Sequence, residues 1–219
     1  RQGDVSIAAA DRVTAQEVGI VADGGTLYML GHIDASSPRG GGSVEIEARN
    51  GVVLGAGSAI AAAGTSAGAP STDANAPGGR VVLSAAEGLV TMMPGAVVDV
   101  SAGARGDAGS LVVRVPRTAG NDGVHADLRG EVKGRSPAGK TGRIIVEGVR
   151  VYDESLADTS SSSLYAADFQ TFTATVDPAG VRAGLVLDGI SPGDVRVRGG
   201  VELRSAGDLA VVDPWDLTD

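Results

Sequence analysis

The 219-residue sequence predicts an all-β fold, a parallel β-helix (solenoid) interrupted by a short α-helical insertion. The main observation is a recurring unit of Gly followed by aliphatics at alternate positions. It reads GDVSI from Gly3, GTLYM from Gly25 and GSVEI from Gly42, with counterparts from Gly79, Gly109, Gly142, Gly193 and Gly207. Alternation of period two is a strand signal, with one face apolar and the other polar, and its return along the chain is the mark of a solenoid. A second, shorter element lies between units: His32 to Ser36, Ala59 to Ala63, Val97 to Ser101 and Glu131 to Lys133, each followed by a Gly-rich corner. Composition agrees with this reading. The chain has 34 Gly, one Trp, three Tyr and two Phe, and 42% hydrophobic residues. Its apolar residues are mostly Ala and Val, which suit a thin repetitive β interior.

Taken in order, residues 1–151 are expected to form the coils, about six of them at roughly 4.8 Å each. GTSAGAPSTDANAPGG, from Gly64 to Gly79, is small, polar and Pro-containing, so it reads as an insertion bulging from one face. Residues 152–190 are expected to be a helical insertion packed on the shaft. There Tyr165, Phe169, Phe172 and Val176 fall at helical spacing, and Asp177-Pro178 supplies a cap and a first-turn proline for a second short helix. Residues 191–219 resume the coils.

The charge balance excludes several functions. With 18 basic against 27 acidic side chains the net charge is -9, and no basic face for nucleic acid or anionic lipid is visible. There is no cysteine for disulfides or thiolate zinc, and no apolar run long enough to span a bilayer as a helix. The start, RQGDVSIAAAD, lacks an initiator Met, a basic segment and an apolar core, so the chain reads as a fragment whose signal peptide, if any, lies elsewhere.

Three stretches resemble a known family: GGTLYMLGHIDASSPRGGGSVEIEA, GGRVVLSAAEGLVTMMPGAVVDVSA and GGVELRSAGDLAVVDPWDL. They are similar to large secreted exoproteins of the filamentous haemagglutinin type, passengers of two-partner secretion. Gly200 to Asp208 and Trp215 to Leu217 are the most specific matches. The resemblance implies a right-handed parallel β-helix that is exported through an outer-membrane two-partner secretion transporter and displayed on the bacterial surface or released. It further implies a structural and adhesive role toward a host or bacterial cell-surface receptor or glycan, without enzymatic activity or cofactor. The family's N-terminal secretion domain has no clear counterpart, so the segment is expected to come from the interior or C-terminal half of its parent.

Candidate sites are few. Arg105-Gly106-Asp107, in the corner SAGARGDAGS, is a candidate cell-binding turn, although Gly-rich corners select these residue types for their own reasons. Asp34 and Asp99 occupy matching places on the second element, but Ala61 stands between them. At two coils apart, roughly 9 to 10 Å, they are too distant for a retaining glycosidase pair and barely reach the separation of an inverting one, and no third acid completes a ladder. His32 and His125 read as surface strand residues without the companions that would make a metal site. Trp215 reads as a packing cap rather than a sugar platform. Two other readings stay open: a β-helix polysaccharide lyase, hydrolase or tailspike-like depolymerase, and a stalk presenting a distant C-terminal toxin.

Overall fold

The computed structural model describes residues 3–65, 75–153 and 162–204. Its strands, in chain order, are β1 (Val5–Ile7), β2 (Arg12–Thr14), β3 (Glu17–Ala22), β4 (Thr26–Met29), β5 (His32–Asp34), β6 (Ser43–Ala48), β7 (Gly51–Leu54), β8 (Ala59–Ala61), β9 (Arg80–Ala85), β10 (Leu89–Met92), β11 (Val97–Asp99), β12 (Ser110–Pro116), β13 (Ala126–Leu128), β14 (Glu131–Lys133) and β15 (Arg143–Asp153). Two helices follow, α1 (Ser162–Thr175) and α2 (Pro178–Arg182), and then β16 (Val186–Asp188) and β17 (Val195–Arg204).

As far as β15, every third strand joins the same sheet. The orders are β1-β4-β7-β10-β13, then β2-β5-β8-β11-β14-β16, then β3-β6-β9-β12-β15-β17. All pairings within the three sheets are parallel. Parallel neighbours need a crossover between them, and here the strands of the other two sheets supply it.

Identical registers stack like on like. Val18, Val44, Val81, Leu111, Ile144 and Val195 form one inward column of the third sheet. Ile33, Ile60, Val98 and Val132 form one in the second sheet, and Leu27, Val52 and Val90 one in the first. These side chains belong to a single buried cluster fed by all three sheets. Each aliphatic removed from water contributes on the order of 2 kcal/mol.

Five strand triplets, rather than six, precede the helices. The Gly-led units explain the miscount: those from Gly3 and Gly25 open strands of the first sheet, whereas those from Gly42, Gly79, Gly109 and Gly142 open strands of the third. One local pattern thus serves two positions in the strand triplet.

After the fifth triplet the helices stand where a further strand of the first sheet would come. The first sheet ends at β13, and α2 packs against β13 and β17 while α1 packs on β17. The Asp177 carboxylate accepts from the backbone N–H groups of Ala179 and Gly180, and Pro178 starts α2, satisfying the orphan donors of a helix start. Phe169 and Phe172 of α1 are buried. β16 returns the chain to the second sheet, in register with β14. Trp215 and the GDLAV unit from Gly207 lie outside the described residues, as does the centre of the 64–79 insertion.

Candidate functional site

The candidate cell-binding turn sits in a corner between β11 and β12. Arg105 and Asp107 are exposed and Gly106 is buried. Neighbouring corners clasp it on both sides. The Asp107 carbonyl accepts from Gly78 N–H at 2.9 Å, the Ala108 N–H donates to the Lys140 carbonyl at 2.9 Å, and Ser136 Oγ donates to the Gly106 carbonyl at 2.7 Å. Asp107 Oδ1 accepts from Lys140 N–H at 2.7 Å. The tripeptide is therefore one layer of a stack, and its carboxylate already has a donor.

Asp34 and Asp99 end β5 and β11, with β8 between them. Two parallel spacings set them roughly 9.6 Å apart. Each carboxylate caps its own turn, Asp34 Oδ1 taking Ser36 N–H and Asp99 Oδ1 taking Ser101 N–H, both at 2.9 Å. These are Asx turns, not a shared proton-transfer pair.

The histidines do not meet. His125 is exposed in a bend before β13 rather than in a strand. His32 begins β5 and is half-buried, with a sealed Nδ1 that has no hydrogen-bond partner among the described residues. No group of three or more His, Asp or Glu side chains positioned for a metal ion occurs among the described residues.

The densest polar cluster was not foreseen. Arg117 follows β12 and Asp168 lies on α1. The Arg117 side chain is 1% exposed, with its guanidinium 3.1 Å from Asp168 Oδ2. It also donates to the Gly148 and Gly200 carbonyls at 2.9 Å and to Asn121 Oδ1 at 3.2 Å. It stacks 4.5 Å from the centroid of Phe172. Asn121 adopts a left-handed φ of 56°, a conformation Asn tolerates, and its amide donates to the Asp168 carboxylate and carbonyl. Arg150 and the Tyr152 hydroxyl complete the set at 2.8 and 2.5 Å from Asp168.

Burial lowers the Arg117 pKa, and the charge of Asp168 opposes that shift. Burial chiefly, and then the hydrogen bond to Asp168, push the Tyr152 phenol well above its ordinary range. Four side chains thus donate to one carboxylate. The cluster works as a clasp fixing α1 to the ends of β15 and β17. A buried ion pair of this kind is strongly destabilising to break, because the remaining charge loses its partner.

A second unforeseen feature is a groove of about 410 Å³ on the outer face of the third sheet, lined by Lys140, Arg143, Arg196 and Arg198 together with Asp107 and Asp194. The acidic balance of the whole chain conceals this local basic patch.

Comparison of the chain with protein-family models, with curated proteins and with solved structures finds no match. Function therefore has to be argued from the fold and from these clusters.

Proposed function

We propose that the three sheets close into a right-handed parallel β-helix. On this reading the chain is a structural and adhesive shaft segment of a secreted bacterial surface exoprotein, without catalytic activity. The carrying observation is the in-register stacking of three parallel ladders around one aliphatic cluster. Crossovers between parallel strands of one sheet are right-handed in the great majority of proteins. Such a stack is stiff along its axis and leaves its corners and outward side chains free to vary, which is the physical requirement for a rod that displays binding surfaces.

The placement of the carboxylates supports the non-catalytic part. Asp34 and Asp99 are spent on their own turns, and Asp168 on the helix clasp. The resemblance to two-partner secretion passengers supplies the export route, through an outer-membrane transporter acting on the parent protein, and display at the cell surface.

The test is incubation of the purified chain with a panel of acidic and neutral polysaccharides, following new chain ends and retained protein. Retention without cleavage supports the adhesive shaft. Cleavage of any polymer overturns it in favour of a β-helix lyase or hydrolase.

A further inference from the structure

Stacking brings together cations that are far apart in the sequence. Arg143 opens β15, and Arg196 and Arg198 lie two residues apart on β17, the outermost strand of the third sheet. Their inward neighbours Val195 and Ile144 are buried, so alternation turns Arg143, Arg196 and Arg198 outward. Arg196 and Arg198 emerge about 7 Å apart along the strand, and Arg143 belongs to the strand about 4.8 Å away. Lys140, in the corner before β15, joins them in the groove.

None of these four cations is within ion-pair distance of a carboxylate among the described residues. The groove lining sets these four cations against two carboxylates, Asp107 and Asp194, so its balance stays positive. Asp107 accepts from the Lys140 backbone, Asp194 Oδ2 lies 3.4 Å from Thr141 Oγ1, and Glu147, the register partner of Arg198, is tied to Arg114 at 3.1 Å. Elsewhere on the surface Arg49, Arg129, Arg135 and Arg204 all have carboxylate partners. In a chain with an excess of acids, unpaired cations gathered in one concavity focus a positive field that attracts anions. Arg80, in the same outward column as Arg143 with Ser110 between them, extends the patch along the sheet and also lacks an ion-pair partner among the described residues.

We infer that this groove binds a linear acidic polysaccharide through its carboxylates. Guanidinium groups match carboxylates bidentately, and a row of them at strand spacing suits a polymer with one charge per sugar. Ile145 in the groove wall offers apolar surface to sugar C–H groups. Nucleic acid fits less well. The groove lining has no aromatic side chain to stack a base, and a duplex carries one charge per about 1.7 Å, which an acidic protein repels beyond the patch. The inference stands on the groove's own charge and goes beyond the shaft reading: a passive shaft would lose this ligand and keep its fold.

The test is binding of the full chain to polygalacturonate and alginate at low salt, with neutral dextran and duplex DNA alongside. Arg196→Ser combined with Arg198→Ser is expected to weaken polyuronate binding at least tenfold, with an unchanged circular dichroism spectrum. Arg49→Ser, outside the groove, is expected to leave binding unchanged. Lys140→Gln with Arg143→Gln is an independent second variant should the first fail to fold. Absence of polyuronate binding, binding unaffected by both groove variants, or tighter binding of DNA than of either polyuronate would overturn the inference.

Discussion

The ring of Phe172 closes over Gly148 so tightly that a Cβ on the glycine would stand 2.5 Å from the ring's Cζ. Gly148 is the register partner of Gly199, which meets the ring of Phe169 in the same way. The inward column that holds Val115 in β12 is thus vacated on β15 and β17, and the two aromatic rings of α1 take the space. Glycine here makes room for another element, and its conformational freedom is not at issue. Gly148→Ala is expected to destabilise the protein by about 1–3 kcal/mol, the usual cost of overpacking a filled site. Gly193→Ala, where nothing lies within 4 Å, is expected to change stability by less than about 0.5 kcal/mol. Thermal unfolding of both variants checks the contrast.

Tyr152 links the clasp to pH. Its phenol pKa is raised in the folded state by burial and by the bond to Asp168, so the native chain holds that proton after the unfolded chain has released it. The stabilising difference is fully present below the ordinary tyrosine pKa of about 10 and is lost as pH rises beyond it. Stability is therefore expected to fall above about pH 10 by up to about 1.4 kcal/mol per pH unit from this one group. Tyr152→Phe should flatten that dependence while lowering stability at neutral pH through loss of the bond to Asp168. Chemical denaturation across pH 8 to 11 reads the slope. Equal slopes in both proteins would disprove the assignment.

How legible each feature was depends on the range of the contacts that make it. Four of the six strands of the second sheet could be read directly: the short elements around Ile33, Ile60, Val98 and Val132 align in the structure, whereas β2 was not picked out and β16 falls inside the stretch expected to be helical. The start of α2 was equally plain, because Asp177-Pro178 acts on its immediate neighbours. Sheet membership was not, since the same Gly-led pattern opens strands of two different sheets, and alternation encodes a strand without saying which neighbour it meets. The clasp was invisible for a stronger reason. Arg117 and Asp168 are 51 residues apart, and Asn121 and Asp168 are 47 apart. No local spacing announces such contacts, and the same holds for Arg143 with Arg196 and Arg198 in the groove.

The glycine corner sets a sharper limit on sequence change than the core does. Gly42, Gly79 and Gly109 stack at the entrance to the third sheet, where Arg80 N–H donates to the Gly42 carbonyl and Ser110 N–H to the Gly79 carbonyl. A side chain at Gly79 would collide with the Gly42 carbonyl, and one at Gly109 with the Gly79 carbonyl. Backbone fixed by its own ladder cannot move aside. Gly79→Ala is expected to destabilise by about 3 kcal/mol or more. Gly19→Ala on β3 of the same sheet, with open space around it, is expected to be neutral or to stabilise by up to about 1 kcal/mol through reduced unfolded-state entropy. Denaturant midpoints separate the two outcomes.

The stacked corner also bears on the cell-binding turn. A cell-binding tripeptide has to be free to fit its receptor, yet Asp107, though exposed, accepts from Lys140 N–H through Oδ1, and Gly106 is held between Ser136 and the layer of Ala76. Freeing the carboxylate would cost that hydrogen bond, on the order of 1 kcal/mol or more for a charged acceptor. It would also loosen the corner against the Gly78 and Lys140 backbones, with which residues 107 and 108 pair. Asp107→Asn keeps an oxygen for the Lys140 N–H while removing the charge, so it separates structure from recognition. Adhesion of integrin-bearing cells to the coated protein is expected to be the same for wild type and Asp107→Asn, with and without divalent cations, and the thermal midpoint is expected to fall only slightly. Cation-dependent adhesion that disappears in Asp107→Asn while the fold is intact would instead show that the exposed Arg105 and Asp107 are recognised in this corner.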